Sequence, residues 1–351
     1  MSKSVFTKLY KPEADLPETV HFYNEGQKTV DDEEGYLKVK PGDHINFRFE
    51  VLSILGKGSF AQVVKAVDHA TQKQVAIKIN RNSELDHQFA KNEASLLQLL
   101  MREDPFDSHN IVRMNLVQDW REHKIFVFEL LSRDLYHQMQ LNKFKGFSVA
   151  TIRSFVQQIV KALVLLEELK VIHCDLKPEN LVLQEDGQRL KVVDFGSGCI
   201  QGHQVYSYVQ SRFYRAPEVV LRIPYTVKVD IWSLGCIIAE LFTGEPLFPG
   251  DSEQELLEYH MEIQGLPSLN MLKNSRKAKH YFDTDGSPYL IEDPVKGILR
   301  IPESRPLSKA VPTKDLEMLD FVDKCLELDP EKRMSAVEAS KHPFLCGTQA
   351  K

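Results

Sequence analysis

Ile172-His173-Cys174-Asp175-Leu176-Lys177-Pro178-Glu179-Asn180, followed downstream by Val193-Asp194-Phe195-Gly196, is the stretch on which the reading of this chain turns. The first run sets a carboxylate, an ammonium and a carboxamide close together, and the second adds another carboxylate between an apolar strand end and a glycine. An isolated His-x-Asp or Asp-Phe-Gly is most often a β-turn. Together and in this order, the two runs offer a base in Asp175, a fixed positive charge in Lys177 and oxygen ligands for a hard cation in Asn180 and Asp194.

Working outward, Gly56-Lys57-Gly58-Ser59-Phe60-Ala61-Gln62-Val63 lies between two runs with strand character, and glycine there lets backbone N–H groups approach an anion without a Cβ in the way. Alone, a Gly-Lys-Gly-Ser turn carries little weight. Val75-Ala76-Ile77-Lys78 follows it, ending an apolar strand on a lysine. Such a lysine needs an anion to hold it, and Glu93, on the apolar-striped helix Phe89–Leu100, is its natural partner. Taken singly, Lys78 reads as a strand-end lysine and Glu93 as a solvated helix face. Taken with the downstream runs, they complete what phosphoryl transfer asks of a protein: metal ligands, charge neutralisation and an oriented hydroxyl.

This constellation resembles the protein kinase superfamily over Phe49–Phe344. The resemblance implies an α+β, bilobal fold, with a small antiparallel β-sheet lobe carrying one main helix and a larger helical lobe. It implies ATP and Mg²⁺ as cofactors, with Asp175, Lys177, Lys78 and Glu93 catalytic and Asn180 and Asp194 holding the metal. ATP contacts are expected from Leu55, Gly56, Lys57, Gly58, Ser59, Phe60, Val63, Ala76, Lys78 and Leu183. Phe128 falls at the gatekeeper position, Glu129 and Leu131 at the hinge, and Asp134 at the ribose. Ala216-Pro217-Glu218 is similar to the end of an activation segment, with Arg333 expected to pair with Glu218. Asp230-Ile231-Trp232-Ser233-Leu234-Gly235 is similar to the buried helix whose aspartate braces the catalytic loop.

Finer features resemble the dual-specificity tyrosine-regulated kinases, the DYRK family. These are Tyr206-Ser207-Tyr208-Val209-Gln210-Ser211-Arg212-Phe213-Tyr214-Arg215, Cys174 in place of arginine, and the upstream box Asp31-Asp32…Tyr36…Asp43-His44…Arg48-Phe49-Glu50. Leu16-Pro17-Glu18-Thr19-Val20-His21-Phe22, Phe144–Ser148 and Asn274–Lys279 are similar to class II members. The resemblance implies phosphorylation of Tyr208 by the chain itself, with Arg212 and Arg215 as partners for the phosphate. It implies protein substrates bearing serine or threonine, often followed by proline, and a monomer. It also sets Cys174 and Cys199 side by side. Two departures stand out: Ala61 replaces a glycine, and Gly198 replaces a serine.

The rest of the chain bounds these expectations. Its 351 residues are 42% hydrophobic and 27% charged, with a formal net charge of -6, which gives no general pull toward nucleic acid or anionic membranes. The five cysteines are scattered without metal or disulfide spacing, the beginning is too polar for a secretory signal, and no apolar run is read as a membrane span. The expectation is an intracellular, cytoplasmic protein, with Lys273, Arg276, Lys277 and Lys279 either a nuclear-import signal or a solvated face. Residues 1–48 read as an extension with an accessory region and the box, 49–130 as the first lobe, 131–345 as the second, and 346–351 as a tail. Gly265–Val311 reads as an insert with little regular structure, and Ile111–Val117 as a strand. The alternatives are a scaffold of pseudokinase type, a small-molecule kinase, and a kinase of the homeodomain-interacting or pre-mRNA-processing type. Retention of Lys78, Asp175, Asn180 and Asp194 weighs against the first of these.

Overall fold

The computed structural model describes residues 30–292 and 297–347, so the Leu16–Phe22 stretch lies outside the described residues. The chain divides into two compact units at Leu131 and Ser132, with residues 108–111 belonging to the second.

In the first unit, alternation of apolar and polar residues builds a sheet. Strands β1 (His44–Ile45), β2 (Phe49–Lys57), β3 (Ala61–Asp68), β4 (Lys73–Asn80), β5 (Met114–Trp120) and β6 (His123–Glu129) form one six-stranded antiparallel sheet in the order β1-β2-β3-β4-β6-β5. Val64 and Ala66 of β3, Val75, Ile77 and Ile79 of β4, and Ile125 and Val127 of β6 are buried in one cluster with Phe49 and Leu37. Their strand neighbours Val63, Ala76, Lys78 and Phe128 are half-buried, as the period-two pleat requires. Helix α1 (Glu84–Glu103) starts at Ser83, whose side chain accepts from the Asp86 N–H, and it buries Ala90, Glu93, Leu96, Leu97 and Leu100.

One expectation shifts: strand β5 begins at Met114, and Ile111 pairs instead with Val192 in the second unit. Among the described residues before the sheet, 30–43, Asp31 bridges Leu37, and Tyr36 and Leu37 are buried.

The second unit is mostly helical. Helices α2 (Leu135–Leu141) and α3 (Val149–Glu168) lead to the short strands β7 (Val171–Ile172), β8 (Leu181–Leu183), β9 (Leu190–Val192) and β10 (Cys199–Ile200), which pair as β7 with β10 and β8 with β9. Then come α4 (Pro217–Val220), α5 (Lys228–Thr243), α6 (Glu253–Gln264), α7 (Leu269–Asn274), α8 (Ala278–Tyr281), α9 (Leu307–Ala310), α10 (Leu316–Cys325), α11 (Ala336–Ser340) and α12 (Pro343–Cys346). Among its described residues, the insert therefore holds three short helices, α7 to α9.

Contrary to the sequence expectation, α3 is long and apolar enough to cross a membrane by length and composition. Its stripe of Ile152, Phe155, Val156, Ile159, Val160 and Leu163 is buried, and the helix packs on α5, α11 and β9. Helix α5 is buried almost all round. Gly235 lets it approach α10: a Cβ there would lie 2.8 Å from the Cys325 Cβ and 2.9 Å from Leu326.

Candidate active site

The first unit brings its candidate residues together on one face of the sheet. Val63 lies opposite Lys78, Lys78 opposite Phe126, and Ala76 opposite Phe128. Directly opposed residues point to the same face, so Val63, Ala76, Lys78 and Phe128 share it. From α1, Glu93 reaches the Lys78 ammonium, which donates to its two carboxylate oxygens at 2.7 and 2.9 Å. The Glu93 carboxylate is 2% exposed, so this pair is held where water screens it little.

The end of β2, Leu55, Gly56 and Lys57, and the turn after it, Gly58, Ser59 and Phe60, are exposed. A Cβ on Gly56 would meet nothing within 4 Å, so packing inside the fold does not demand glycine at that position. What holds the turn comes from the preceding segment, which the sequence reading placed in a box without giving it this task. The Tyr36 hydroxyl donates to the Gly58 carbonyl at 2.6 Å, and the Lys57 ammonium sits 3.8 Å from the Tyr36 ring centroid while reaching Asp32 and Glu34. At the end of β6, the Glu129 N–H donates to the Arg113 carbonyl and its carboxylate accepts from the Arg113 N–H. Phe128 stacks on Phe126, and Leu131 is half-buried.

The second unit holds the catalytic-loop candidates by cross-bracing. The buried Asp230 carboxylate of α5 accepts the backbone N–H groups of His173 and Cys174 at 2.8 and 3.1 Å. Burial pushes Asp230 up to about 6, against those two amides, which favour its charged form. Cys174 has a φ of 65°, a left-handed conformation costly for a side chain with a Cβ, and the Asp230 anchor holds the loop through it. The His173 Nε2–H donates to the Val193 carbonyl, which leaves Nδ1 to accept from the Asp175 N–H.

Around Asp175 the groups converge. Lys177 donates to Oδ2 at 2.6 Å, the Ser211 hydroxyl donates to Oδ1 at 2.7 Å, and the Asn180 amide donates to the Asp175 carbonyl at 2.8 Å. Since the Asn180 nitrogen is committed there, its amide oxygen is left for another ligand. The Val193 N–H donates to the Asn180 carbonyl, which ties the second run to the first. Asp194 itself is exposed at a φ of 62°, while Phe195 is buried edge-on against His173 at 4.9 Å. Ser211 was missed by the sequence reading, although it lies within the quoted loop.

Asp134 caps α2, its carboxylate accepting from the His137 N–H, and Leu183 is buried on β8. Glu218 and Arg333, both fully buried, form a two-pronged ion pair at 2.7 and 2.8 Å. The Cys174 and Cys199 sulfurs lie 3.8 Å apart as free thiols.

Arg212 opens a 3-10 turn, and its guanidinium donates to the Asp251 carbonyl at 2.5 Å. Arg215 lies 3.9 Å from the centroid of the Tyr208 ring, and Arg222, past α4, lies 4.8 Å from it. Only the fold could show Arg222, because nothing in the local spacing marks it.

The comparisons with known proteins agree with this geometry. A protein kinase domain profile matches residues 49–345. The chain is 46% identical over 319 residues to human dual specificity tyrosine-phosphorylation-regulated kinase 4, covering 90% of this chain and 61% of that protein. It is 45% identical over 316 residues to dual specificity tyrosine-phosphorylation-regulated kinase 2 of Drosophila melanogaster, covering 90% of this chain and 44% of the relative. With the DYRK-family kinase pom1 of Schizosaccharomyces pombe it shares 45% identity over 320 residues, covering 91% and 29%. The chain thus spans from under a third to about three fifths of the length of these relatives. A matched domain over most of its length, with DYRK kinases among its relatives, means that this chain belongs to the protein kinase family.

Proposed function

We propose that the chain transfers the γ-phosphate of ATP to serine and threonine hydroxyls of proteins and phosphorylates its own Tyr208. The observation that carries this reading is the Asp175 carboxylate, which accepts a hydroxyl hydrogen bond from Ser211 at 2.7 Å with the Lys177 ammonium on its other oxygen. A substrate hydroxyl taking up the same kind of contact would be oriented for attack and could pass its proton to Asp175, while Lys177 offsets charge on the moving phosphoryl group. Lys78, held by Glu93, is suited to the α- and β-phosphates, and the open glycine turn admits backbone N–H groups to them.

The carboxylate of exposed Asp194 and the amide oxygen of Asn180 are hard oxygen donors, which fits Mg²⁺. Bound there, Mg²⁺ would neutralise phosphate charge. Support for Tyr208 as the modified residue comes from the two guanidinium groups on its ring, which would become partners for phosphate oxygens. Glu179 is exposed beside the catalytic loop and is the candidate partner for an arginine upstream of the target hydroxyl, with proline following that hydroxyl. The chain acts in the cytoplasm as a monomer in this reading.

Intact mass and phosphosite mapping after expression in a host without tyrosine kinases tests the proposal. Phosphate on Tyr208 in the wild type and none in Asp175→Asn is the expected result; an unmodified Tyr208 in fully active protein would overturn the self-phosphorylation.

A further inference from the structure

We propose that His44, Glu50 and His69 form a binding site for Zn²⁺ in the first unit, at the far end of β3 from Val63. The pleat assembles the three side chains. His44 lies opposite Glu50 across the β1–β2 ladder, and Glu50 lies opposite Val67 across β2–β3. His69 is two residues beyond Val67, and its N–H still donates to the Arg48 carbonyl at 3.0 Å, which prolongs the ladder past the end of β3. All three side chains therefore rise from one face. Their donor atoms all lie within 4.8 Å of one another, and His69 Nε2 is already 3.0 Å from a Glu50 carboxylate oxygen.

A second observation points to a ligand. His44 is 8% exposed, yet neither of its ring nitrogens has a hydrogen-bond partner. Buried polar atoms are nearly always paired, and an imidazole unpaired at both nitrogens is the exception that calls for a ligand. Its ring stacks on His69 at 5.6 Å with planes 8° apart. The neighbouring cation, Arg48, forms a two-pronged ion pair with Asp68 at 2.7 Å.

Bonds of about 2.0–2.2 Å in tetrahedral array place donors roughly 3.4 Å apart, and rotation of the His44 ring closes the remaining gap. Two imidazoles with one carboxylate select zinc over the hard magnesium ion, so the Mg²⁺ of phosphoryl transfer does not compete. The fourth position is left to water. A metal there would pin the two-residue β1 to the body of the sheet.

The test titrates the chelator-stripped chain with zinc sulfate against a chromophoric chelator, beside His44→Gln and His69→Gln. The wild type should bind one Zn²⁺ more per chain than either variant. Losing a direct ligand should cost more than the roughly 100-fold at the top of the range for outer-shell partners. Zinc should raise the wild-type melting temperature and leave that of His69→Gln unmoved. If His44→Gln fails to fold, His69→Gln alone decides, since its ring is partly exposed. Equal zinc uptake by wild type and His69→Gln, or no uptake by the wild type at micromolar zinc, overturns the site.

Discussion

The two units hold their functional side chains by different means. In the first, an exposed glycine turn is tied to the segment before the sheet through the Tyr36 hydroxyl on Gly58 and the Lys57 ammonium on Asp32 and Glu34, and Lys78 is ion-paired with Glu93. In the second, Asp175, Lys177 and Asn180 sit in a loop whose backbone is fastened to buried Asp230 and whose histidine is locked to Val193, and the same unit buries the Glu218–Arg333 ion pair. Under the proposed function, the first arrangement would serve a nucleotide that enters and leaves. The second would fix the few atoms that place a proton and a phosphoryl group within tenths of an ångström. The contrast predicts that damage to the second unit's braces costs fold and rate together, while damage to the first unit's ties costs chiefly nucleotide binding.

The largest effect on stability should come from Arg333→Ala. It strands a fully buried Glu218 carboxylate and removes guanidinium bonds to the Glu327 and Lys228 carbonyls. Breaking such a pair costs about 3–5 kcal/mol, and chemical denaturation should show the loss with no folded, active fraction at 37 °C. A loss under about 1 kcal/mol would mean the brace is ornamental.

Next in size is Glu240→Gln. Burial pushes Glu240 up to about 7, above its ordinary 4.5, while the Tyr214 hydroxyl donating at 2.7 Å favours the charged form. In that window the folded chain holds a proton that the unfolded chain has released. The site's contribution to stability is therefore present below about pH 4.5 and declines as pH rises to about 7. The glutamine variant keeps an oxygen for Tyr214 without the charge. Its melting temperature should exceed that of the wild type at pH 8, by on the order of 1 kcal/mol in stability, and match it near pH 5. A constant difference across pH would place the proton elsewhere.

The smallest effect belongs to the loose side. Tyr36→Phe removes one hydrogen bond to the glycine turn, worth about 1 kcal/mol, so the KM for ATP should rise by up to about fivefold with kcat unchanged. A fall in kcat with KM constant would show that the turn is part of the rigid machinery, and the contrast would fail.

What the sequence made legible follows the same division of local from distant. Short runs carried their own chemistry: His173 to Asn180, Asp194 to Gly196 and Val75 to Lys78 are legible because the groups that act together are near in the chain or separated by a strand and a helix. The buried helix α5 announced itself by being apolar all round, and the Glu218–Arg333 pair through resemblance. Partners supplied by chain return were not legible. Arg222 reaches Tyr208 from beyond α4, the Tyr36 hydroxyl reaches Gly58 from the segment before the sheet, and Arg212 is drawn off to Asp251. Spacing along a sequence says nothing about such contacts, since loop geometry decides them. The early start assigned to β5 has the same origin, because Ile111 bridges Val192 and not a strand of the first unit's sheet.

Whether Asp175 takes the hydroxyl proton is decided by ADP release with Mg²⁺, ATP and a serine peptide, in wild type and Asp175→Asn. The asparagine keeps the size of the side chain and loses its basicity. In Asp175→Asn, kcat should fall by roughly 10²–10⁴-fold, with nucleotide binding and melting temperature close to wild type. Turnover within a few fold of wild type, with contaminating kinase excluded, would contradict it.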